Sequence, residues 1–369
     1  MKRFTKSGTL HGLLAVIAAA ALCAACSHED TRPGEEAFVG DRTVTLWSSL
    51  AQVRQQVATV HYGDRVEIVE KQNDQAKVRT AVGLVGWTPQ ATLMDSALWH
   101  RARSLAESAA AMPVQARATA ERVTNVHIEP GRTTPRTYQL RGNTPVDVLG
   151  RAVADFTKGG TDEGAAPETR KEDWSLVRAK DEAGGTVAGW VLRRFVKFDI
   201  PPELADYSSQ FRFVAWFELS RVPTGEAEPA PAKAAPAGAA HGKVREAPGP
   251  PDAVREAAEA AAPADKPQFL VAGIQGADGQ PCDFTIIRAY TWGAARQRYE
   301  TAYVESNLCG SLPIHAQAAS PPGGNAAFSF KNEGRGGEEQ REYAMHQTSV
   351  RRVDNVRHPA GAHAPRKGR

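Results

Sequence analysis

The sequence lacks the residue patterns by which most enzyme and metal sites are recognised. Only four of its 369 residues are cysteine. It contains no H-E-x-x-H motif, no combination of Cys and His pairs at the spacing of a zinc site, no P-loop and no G-x-S-x-G elbow. Its Asp and Glu residues are scattered through predicted loops, where an acid/base pair cannot be distinguished from ordinary surface charge. The sequence therefore predicts no catalytic residue, no metal and no cofactor.

A strong charge of one sign is also missing. Lys and Arg number 45 against 42 Asp and Glu, for a formal net charge of +3. A nucleic-acid-binding domain usually carries a marked basic excess, so none is predicted here. The one apolar run near the N-terminus is shorter than the roughly 20 residues that cross a bilayer. Because it follows Lys2, Arg3 and Lys6 and leads into small residues, it predicts a secretory signal peptide over 1–26.

The end of that signal resembles a bacterial lipobox. The motif C-A-A-C at 23–26 places two small residues before Cys26, which would be lipidated and become the new first residue. Ser27 follows in place of the Asp that usually signals retention in the inner membrane. The resemblance implies a lipid anchor in the outer membrane, with the protein on the periplasmic face. The alternative is ordinary cleavage with free release.

Two composition breaks divide the mature chain. Residues 159–172 and 224–266 are rich in Ala, Pro, Gly and charge and have almost nothing to bury, so both are predicted to be flexible. The basic tail at 354–369 has the same character. It is interpreted as a solvated end, or alternatively as a contact with an acidic surface such as lipid headgroups or anionic wall polymer.

Two stretches of the chain, 57–93 and 137–196, share one plan. Both carry an alternating apolar pattern that is typical of a half-buried strand. Gly63 falls opposite Asn143, and these two residue types best tolerate the left-handed backbone of a turn. Gly86-Trp87 likewise falls opposite Gly189-Trp190, and each Trp is interpreted as core or barrel closure rather than as a ligand platform. The pattern predicts two copies of one small β domain.

The repeated motifs resemble those of the bacterial SH3 domain. The second copy, 114–198, carries N-V-H at 125–127, then Pro-Gly, W-S-L-V-R at 174–178 and G-W-V at 189–191. The first copy, 38–95, is more divergent, with T-L-W at 45–47 and Gln75 in place of the motif Trp. The resemblance implies two small SH3-like barrels that bind cell-wall peptide or a protein partner. The candidate ligand-binding residues are Trp47, His127, Trp174 and Arg178.

Residues 96–112, between the copies, are rich in helix formers and predict a short connecting helix with Ser96 as N-cap. Beyond the second copy, aromatic and β-branched segments separated by turn residues predict a C-terminal antiparallel β domain, a sandwich or small barrel, over 205–223 and 267–353. The disordered segment 224–266 would interrupt it, and a flexible join to the barrels is expected. Alternatively, the strand at 211–222 closes the SH3 pair instead.

Cys282 and Cys309 are the only cysteines outside the signal region. In an oxidising compartment they are predicted to form a disulfide worth roughly 3 to 4 kcal/mol. The alternative is a cell-wall cysteine peptidase in which Cys282 attacks, activated by His315 or His346. However, Cys282 leads into a predicted strand rather than a helix, and neither histidine stands in a motif.

The sequence as a whole predicts a mainly β, non-enzymatic lipoprotein of the bacterial cell envelope. The first hypothesis is a binding module that contacts cell-wall peptide or a protein partner through the tandem SH3-like domains. The second is an envelope scaffold or assembly factor that acts through its C-terminal β domain. The third is the cysteine peptidase.

Overall fold

The computed structural model describes residues 34–158, 168–224, 265–320, 324–334 and 336–353. These residues form three seven-stranded antiparallel sheets, so the prediction of a mainly β protein is confirmed. Contacts divide the chain into two compact units, one ending at Trp99 and the other beginning at His100. None of the described helices is long and apolar enough to cross a membrane. The predicted signal peptide with Cys26, the tail 354–369 and nearly all of the segment 224–266 lie outside the described residues.

The first unit contains the first sheet. Its alternating apolar residues point into one core that includes Val39, Leu46 and Val78. The strand order is β3-β2-β6-β5-β4-β1-β7. A short 3-10 turn, Gln90–Thr92, precedes the last strand. The strands are β1 (Glu35–Val39), β2 (Thr43–Trp47), β3 (Gln56–His61), β4 (Arg65–Gln72), β5 (Gln75–Thr80), β6 (Val85–Pro89) and β7 (Leu93–Asp95).

The predicted connecting helix is present as α1 (Ser96–Ala111). Its N-cap is Asp95 and not Ser96, because an Asp95 carboxylate oxygen accepts the backbone N–H of Leu98 at 2.7 Å. A carboxylate at this position also interacts favourably with the positive end of the helix dipole. Within the first unit, the Trp99 ring stacks on Phe38 at a centroid distance of 5.0 Å.

The second sheet has the order β10-β9-β13-β12-β11-β8-β14, which is the order of the first sheet repeated element by element. Gly63 and Asn143 occupy equivalent turns with φ of 82° and 63°, as the repeat predicts. Ala106 and Ala109 of α1 pack on this sheet. The 3-10 turn Arg193–Phe195 precedes the last strand. The strands are β8 (Ala116–Ala120), β9 (Thr124–His127), β10 (Arg136–Leu140), β11 (Pro145–Lys158), β12 (Glu168–Lys180), β13 (Thr186–Leu192) and β14 (Val196–Phe198).

The flexible segment predicted over 159–172 includes residues at its C-terminal end that belong to a strand. Residues Glu168 to Glu172 belong to β12 and pair with β11 in continuous register, from Lys158 opposite Glu168 to Ala154 opposite Glu172. Composition suggested that this stretch has little to bury. In the structure Glu172 is buried among arginine side chains that come from other parts of the chain. Residues 159–167 lie outside the described residues.

The third sheet is a meander in which every strand lies beside its neighbours in the chain. Its seven strands belong to one hydrogen-bonded sheet, and residues of the first and last strands, Leu219 and Val350, share one core. The predicted strand at 338–353 is in fact two strands, because a turn with Gln347 at φ 52° separates them. The 3-10 turn Pro202–Tyr207 precedes the sheet. The strands are β15 (Arg212–Val222), β16 (Lys266–Ile274), β17 (Phe284–Gly293), β18 (Arg298–Gln317), β19 (Asn325–Gly334), β20 (Gly337–His346) and β21 (Ser349–Arg352).

The first strand of this sheet, β15, pairs with β16 from Arg212 opposite Ile274 to Val222 opposite Lys266. It therefore belongs to the C-terminal sheet, and the alternative that this strand closes the predicted pair of SH3 domains is wrong. Alternate residues of β16 enter two different cores, and β15 contributes to both. One core contains Leu219 and Leu270 together with Phe328, and the other contains Phe213 and Val271 and is joined by Leu204 of the 3-10 turn.

The second and third sheets pack within one unit, so the expected flexible join between them is wrong. Gln115 is fully buried, and its side-chain amide pairs with the backbone of Ile314 through bonds of 2.8 and 3.2 Å. Its backbone oxygen accepts the N–H of Trp216 at 3.0 Å. These polar bonds are made in the interior and fix the two sheets against each other.

A buried ion cluster strengthens the same junction. Arg151 on β11 donates to the Asp173 carboxylate on β12 at 2.6 Å. It also donates to the carbonyl oxygens of Cys282 and Gln280 at 2.9 and 3.0 Å. The loop that carries one disulfide cysteine is therefore held on the second sheet.

Candidate ligand-binding cleft

The structure brings together two of the four predicted ligand-binding residues. His127 at the end of β9 and Trp174 on β12 line one open cleft of about 370 Å³ in the second sheet. Trp47 lies in the first unit, and Arg178 is not among the residues that line the cleft. The lining residues are Val123, Thr124, Asn125, His127, Arg132, Gln139, Trp174, Leu192 and Phe195.

The rings of His127 and Trp174 meet edge to face at a centroid distance of 5.4 Å. This is a favourable arrangement, because the positive edge of one ring faces the negative face of the other. Trp174 is only 2% exposed, so most of its side chain belongs to the core. It forms a rigid part of the cleft wall rather than an exposed platform.

His127 is held as a neutral ring. Its Nδ1 lies 2.8 Å from the carbonyl oxygen of Thr134, and since a carbonyl can only accept, Nδ1 carries the proton and donates. Burial lowers the pKa of His127 because it disfavours the cation, and the bond to Thr134 only partly opposes this effect. In the neutral form Nε2 is a hydrogen-bond acceptor.

The strongest charge feature beside the cleft is a cluster that sequence analysis missed. The Glu172 carboxylate has a side-chain exposure of 6% and accepts two hydrogen bonds of 2.7 Å from Arg132, one of the lining residues. Arg170 and Arg194 approach the same carboxylate at 3.0 and 3.3 Å. Hydrogen bonding from Arg132 is the main reason that the pKa of Glu172 is lowered.

These four residues carry no local sequence signal. Arg132 and Arg194 lie 40 and 22 positions from Glu172. Glu172 itself falls, together with Arg170, inside a segment whose composition predicted flexibility. The loop after β9 and the 3-10 turn Arg193–Phe195 bring the other two arginines to this carboxylate on β12.

Arg178 has a structural role. Its guanidinium donates to the Asp147 carboxylate at 2.8 Å and to the carbonyl oxygens of Ala109 and Ala110 at the end of α1 at 2.8 and 3.1 Å. Such bonds satisfy carbonyls that have no partner within the helix. Arg178 is thereby occupied in holding α1 on the sheet, and the structure does not place it in the cleft with His127 and Trp174.

The first copy repeats this ion pair. Arg79, which aligns with Arg178, donates to Glu67 at 2.8 Å, and the two residues are cross-strand partners on β5 and β4. The V-R pattern shared by the two copies therefore marks a strand-to-strand ion pair.

Trp47 takes the place in the first sheet that His127 takes in the second. It is the register partner of Trp87, as His127 is of Trp190. The Arg54 guanidinium lies 4.5 Å from the centre of the Trp47 ring, an arrangement that permits a cation–π interaction. Trp87 is buried, in agreement with its interpretation as core.

The structure contains the predicted disulfide between Cys282 and Cys309, with an S–S distance of 2.04 Å. His315 and His346, the alternative activating residues, are exposed positions on strands of the third sheet. No group of three or more His, Cys, Asp or Glu side chains in the described part of the chain is placed to hold a metal ion.

No protein-family model matches the chain, and no curated protein matches it. Among solved structures, an NlpC/P60 family protein from Bacillus cereus is similar over 48% of this chain and 64% of its own, with 15% identity and a TM-score of 0.19. NlpC2 from Trichomonas vaginalis is similar over 50% and 57%, with 10% identity and a TM-score of 0.16. The chain thus spans less than two thirds of the length of these structures, and similarity at this level carries no argument about function.

Proposed function

We propose that this chain is a non-enzymatic binding protein of the bacterial cell envelope, built on tandem SH3-like domains. Its second copy binds cell-wall peptide or a protein partner in the cleft that His127 and Trp174 line. A lipid on Cys26 would hold it on the periplasmic face of the outer membrane. Tethering would keep the binding domains at high local concentration near the wall.

The observation that supports this proposal is the cleft itself. Its volume of about 370 Å³ lies within the range of small-ligand sites. It combines apolar walls, an aromatic pair and the side-chain amides of Asn125 and Gln139. A peptide presents apolar side chains as well as amide donors and acceptors, so it matches this mixture.

The bonding of Cys282 supports a non-enzymatic role over the cysteine peptidase. A cysteine nucleophile acts as a free thiolate, whereas Cys282 is bonded to Cys309. The loop that carries it is also held by Arg151 through backbone carbonyls.

Co-sedimentation of the unlipidated protein with purified peptidoglycan tests the proposal. The variant that combines Asn125→Ala and Gln139→Ala removes two amides that bond each other at 3.0 Å near the surface. Its matched control is Gln340→Ala, an amide on β20 of the third sheet, far in the chain from the cleft residues. We expect the wild type and the control to sediment with the wall and the double variant to be retained several-fold less.

Wild-type protein that stays in the supernatant would contradict wall binding and would favour a protein partner. Equal retention of all three proteins would show that the wall is bound by a surface other than this cleft.

A further inference from the structure

The cleft of the second sheet is beside an excess of positive charge. Arg132, Arg170 and Arg194 share one carboxylate, that of Glu172. Three guanidinium groups and one carboxylate leave a net charge of about +2, because Arg is always protonated and Glu172 is held ionised. The residues that line the cleft include no Asp or Glu. The cleft therefore favours an anionic ligand.

The guanidinium groups are held in place by aromatic rings. Arg132 lies 4.1 Å and Arg170 5.2 Å from the centre of the Phe156 ring. Arg194 lies 5.2 Å from the centre of Phe195, which lines the cleft. Stacking restricts these long side chains, so less rotamer freedom is lost when they bind a ligand.

Donor capacity remains after the bonds to Glu172 are counted. A guanidinium carries five N–H donors, whereas Arg132 uses two of them on Glu172 and Arg194 uses one. The Arg194 side chain is 46% exposed and the Arg170 side chain 52%, so both can contact a ligand from solvent. Arg is well suited to this task, since its planar fork matches a carboxylate.

The neutral groups of the cleft distinguish a peptide from a phosphate. Asn125 and Gln139 offer both donors and acceptors, and neutral His127 adds an acceptor at Nε2. A phosphate anion would use chiefly the donors, because most of its oxygen atoms carry no hydrogen and can only accept. A peptide bond uses both, because it carries one N–H and one carbonyl.

We infer that the second SH3-like copy binds an acidic peptide, with a carboxylate of that peptide bound by the guanidinium groups beside Glu172 and its backbone bound by Asn125 and Gln139. This inference rests on the proposed function and specifies the ligand class of the same cleft.

Isothermal titration of the full chain with two matched peptides tests the inference. The first probe is Gly-Glu-Ala-Glu-Ala with a free C-terminus, and the second is Gly-Gln-Ala-Gln-Ala with an amidated C-terminus. We expect the acidic peptide to bind at least tenfold more tightly and to lose affinity between about 50 and 500 mM salt, since the arginines are partly exposed. Equal affinities, or no binding of the acidic peptide at millimolar concentration, would overturn the inference.

Two substitutions that change the net charge in opposite directions test whether the arginine cluster beside Glu172 is the binding site. Arg194→Gln removes a positive charge, so we expect acidic-peptide affinity to fall about tenfold. Glu172→Gln keeps the side-chain shape but removes the negative charge, so we expect affinity to rise. The matched control is Arg141→Gln, whose side chain is 69% exposed and pairs with Glu182, and its affinity should equal that of the wild type. Affinity that is unchanged in Arg194→Gln would contradict the assignment of the site.

Competition with inorganic phosphate and co-sedimentation with peptidoglycan distinguish the remaining outcomes. Phosphate that competes fully at concentrations equal to those of the peptide would overturn the choice of a peptide over a phosphate ligand. Retention on peptidoglycan together with equal affinity for the two peptides would support the proposed function and overturn only the acidic ligand. Acidic-peptide binding without wall retention would support the inference and direct the search to an acidic protein partner.

Discussion

Substitution of Arg151 by Ala tests how the second and third sheets are held together. The Arg151 and Asp173 side chains are 6% and 2% exposed and lie 2.6 Å apart. Removal of Arg151 leaves the Asp173 charge buried with weaker partners, namely the Gly279 N–H at 2.8 Å and Arg212 at 3.4 Å. It also removes the Arg151 donor from the carbonyl oxygens of the loop around Cys282.

The expected cost follows from this burial. Breaking a buried ion pair by removing one partner typically costs about 3 to 5 kcal/mol, because an uncompensated charge stays in the interior. With a denaturant slope of about 3 kcal/mol/M for a unit of this size, the urea midpoint should fall by about 1 to 1.7 M. The pair of substitutions Arg151→Met and Asp173→Leu removes both charges, so it should cost less than Arg151→Ala alone.

Urea unfolding followed by circular dichroism measures the loss, and hydrogen exchange on peptides from β11 and β17 locates it. The matched control is Arg296→Ala, because the Arg296 side chain is 67% exposed and its pair with Glu300 is a surface ion pair. That change should cost less than about 0.5 kcal/mol. A loss below about 1 kcal/mol in Arg151→Ala would refute the view that the buried cluster holds the two sheets together.

Three further substitutions or titrations test individual contacts. Arg178→Gln should destabilise the second unit by about 2 to 3 kcal/mol in urea unfolding, because it loses charged hydrogen bonds, yet leave ligand affinity unchanged; a selective loss of binding would contradict its structural role. Burial lowers the pKa of His127 from 6.5, so its NMR titration midpoint should lie below that value, and a midpoint that is not lowered would refute this. Because the folded protein then binds this proton less readily than the unfolded chain, the free energy of unfolding should fall as pH drops from 6.5 through the lowered pKa. Gly189→Ala should cost about 1 to 3 kcal/mol, because the added Cβ would lie 2.5 Å from Val126 Cγ1 and 2.6 Å from the His127 carbonyl oxygen; an unchanged thermal midpoint would contradict that clash.

The duplicated motifs have a structural explanation at the crossing of two strands. Gly189 faces His127 across the sheet, and Gly86 in the first copy faces Leu46 and Trp47, where an added Cβ would lie only 2.7 Å from Leu46 Cβ. Both sites exclude a side chain because the neighbouring strand is too close. The G-W pattern is therefore a packing requirement that each copy meets independently.

Arg178 was predicted as a ligand-binding residue, but in the structure it bonds to the end of α1. As part of W-S-L-V-R it looked like a ligand residue beside Trp174. A strand pattern specifies which face a side chain occupies, but it does not specify what covers that face. Here the end of α1 covers it, and the carbonyl of Ala109 accepts the hydrogen bond that a ligand would have required.

Features with a local physical basis could be predicted from the sequence alone. Alternation with period two marked the strands, Gly63 and Asn143 marked equivalent left-handed turns, and the two cysteines outside the signal region marked the disulfide. Each of these depends on residues close together in the chain or on elimination among few candidates.

The contacts between side chains that are distant in the chain became visible only in the fold. Arg132 and Glu172 are 40 positions apart, and Gln115 and Ile314 are 199 apart. Strand periodicity does not encode such pairs, because they depend on how α1, the β11–β12 hairpin and the third sheet pack. For this reason no sequence pattern predicted the charged cleft or the union of two sheets in one unit.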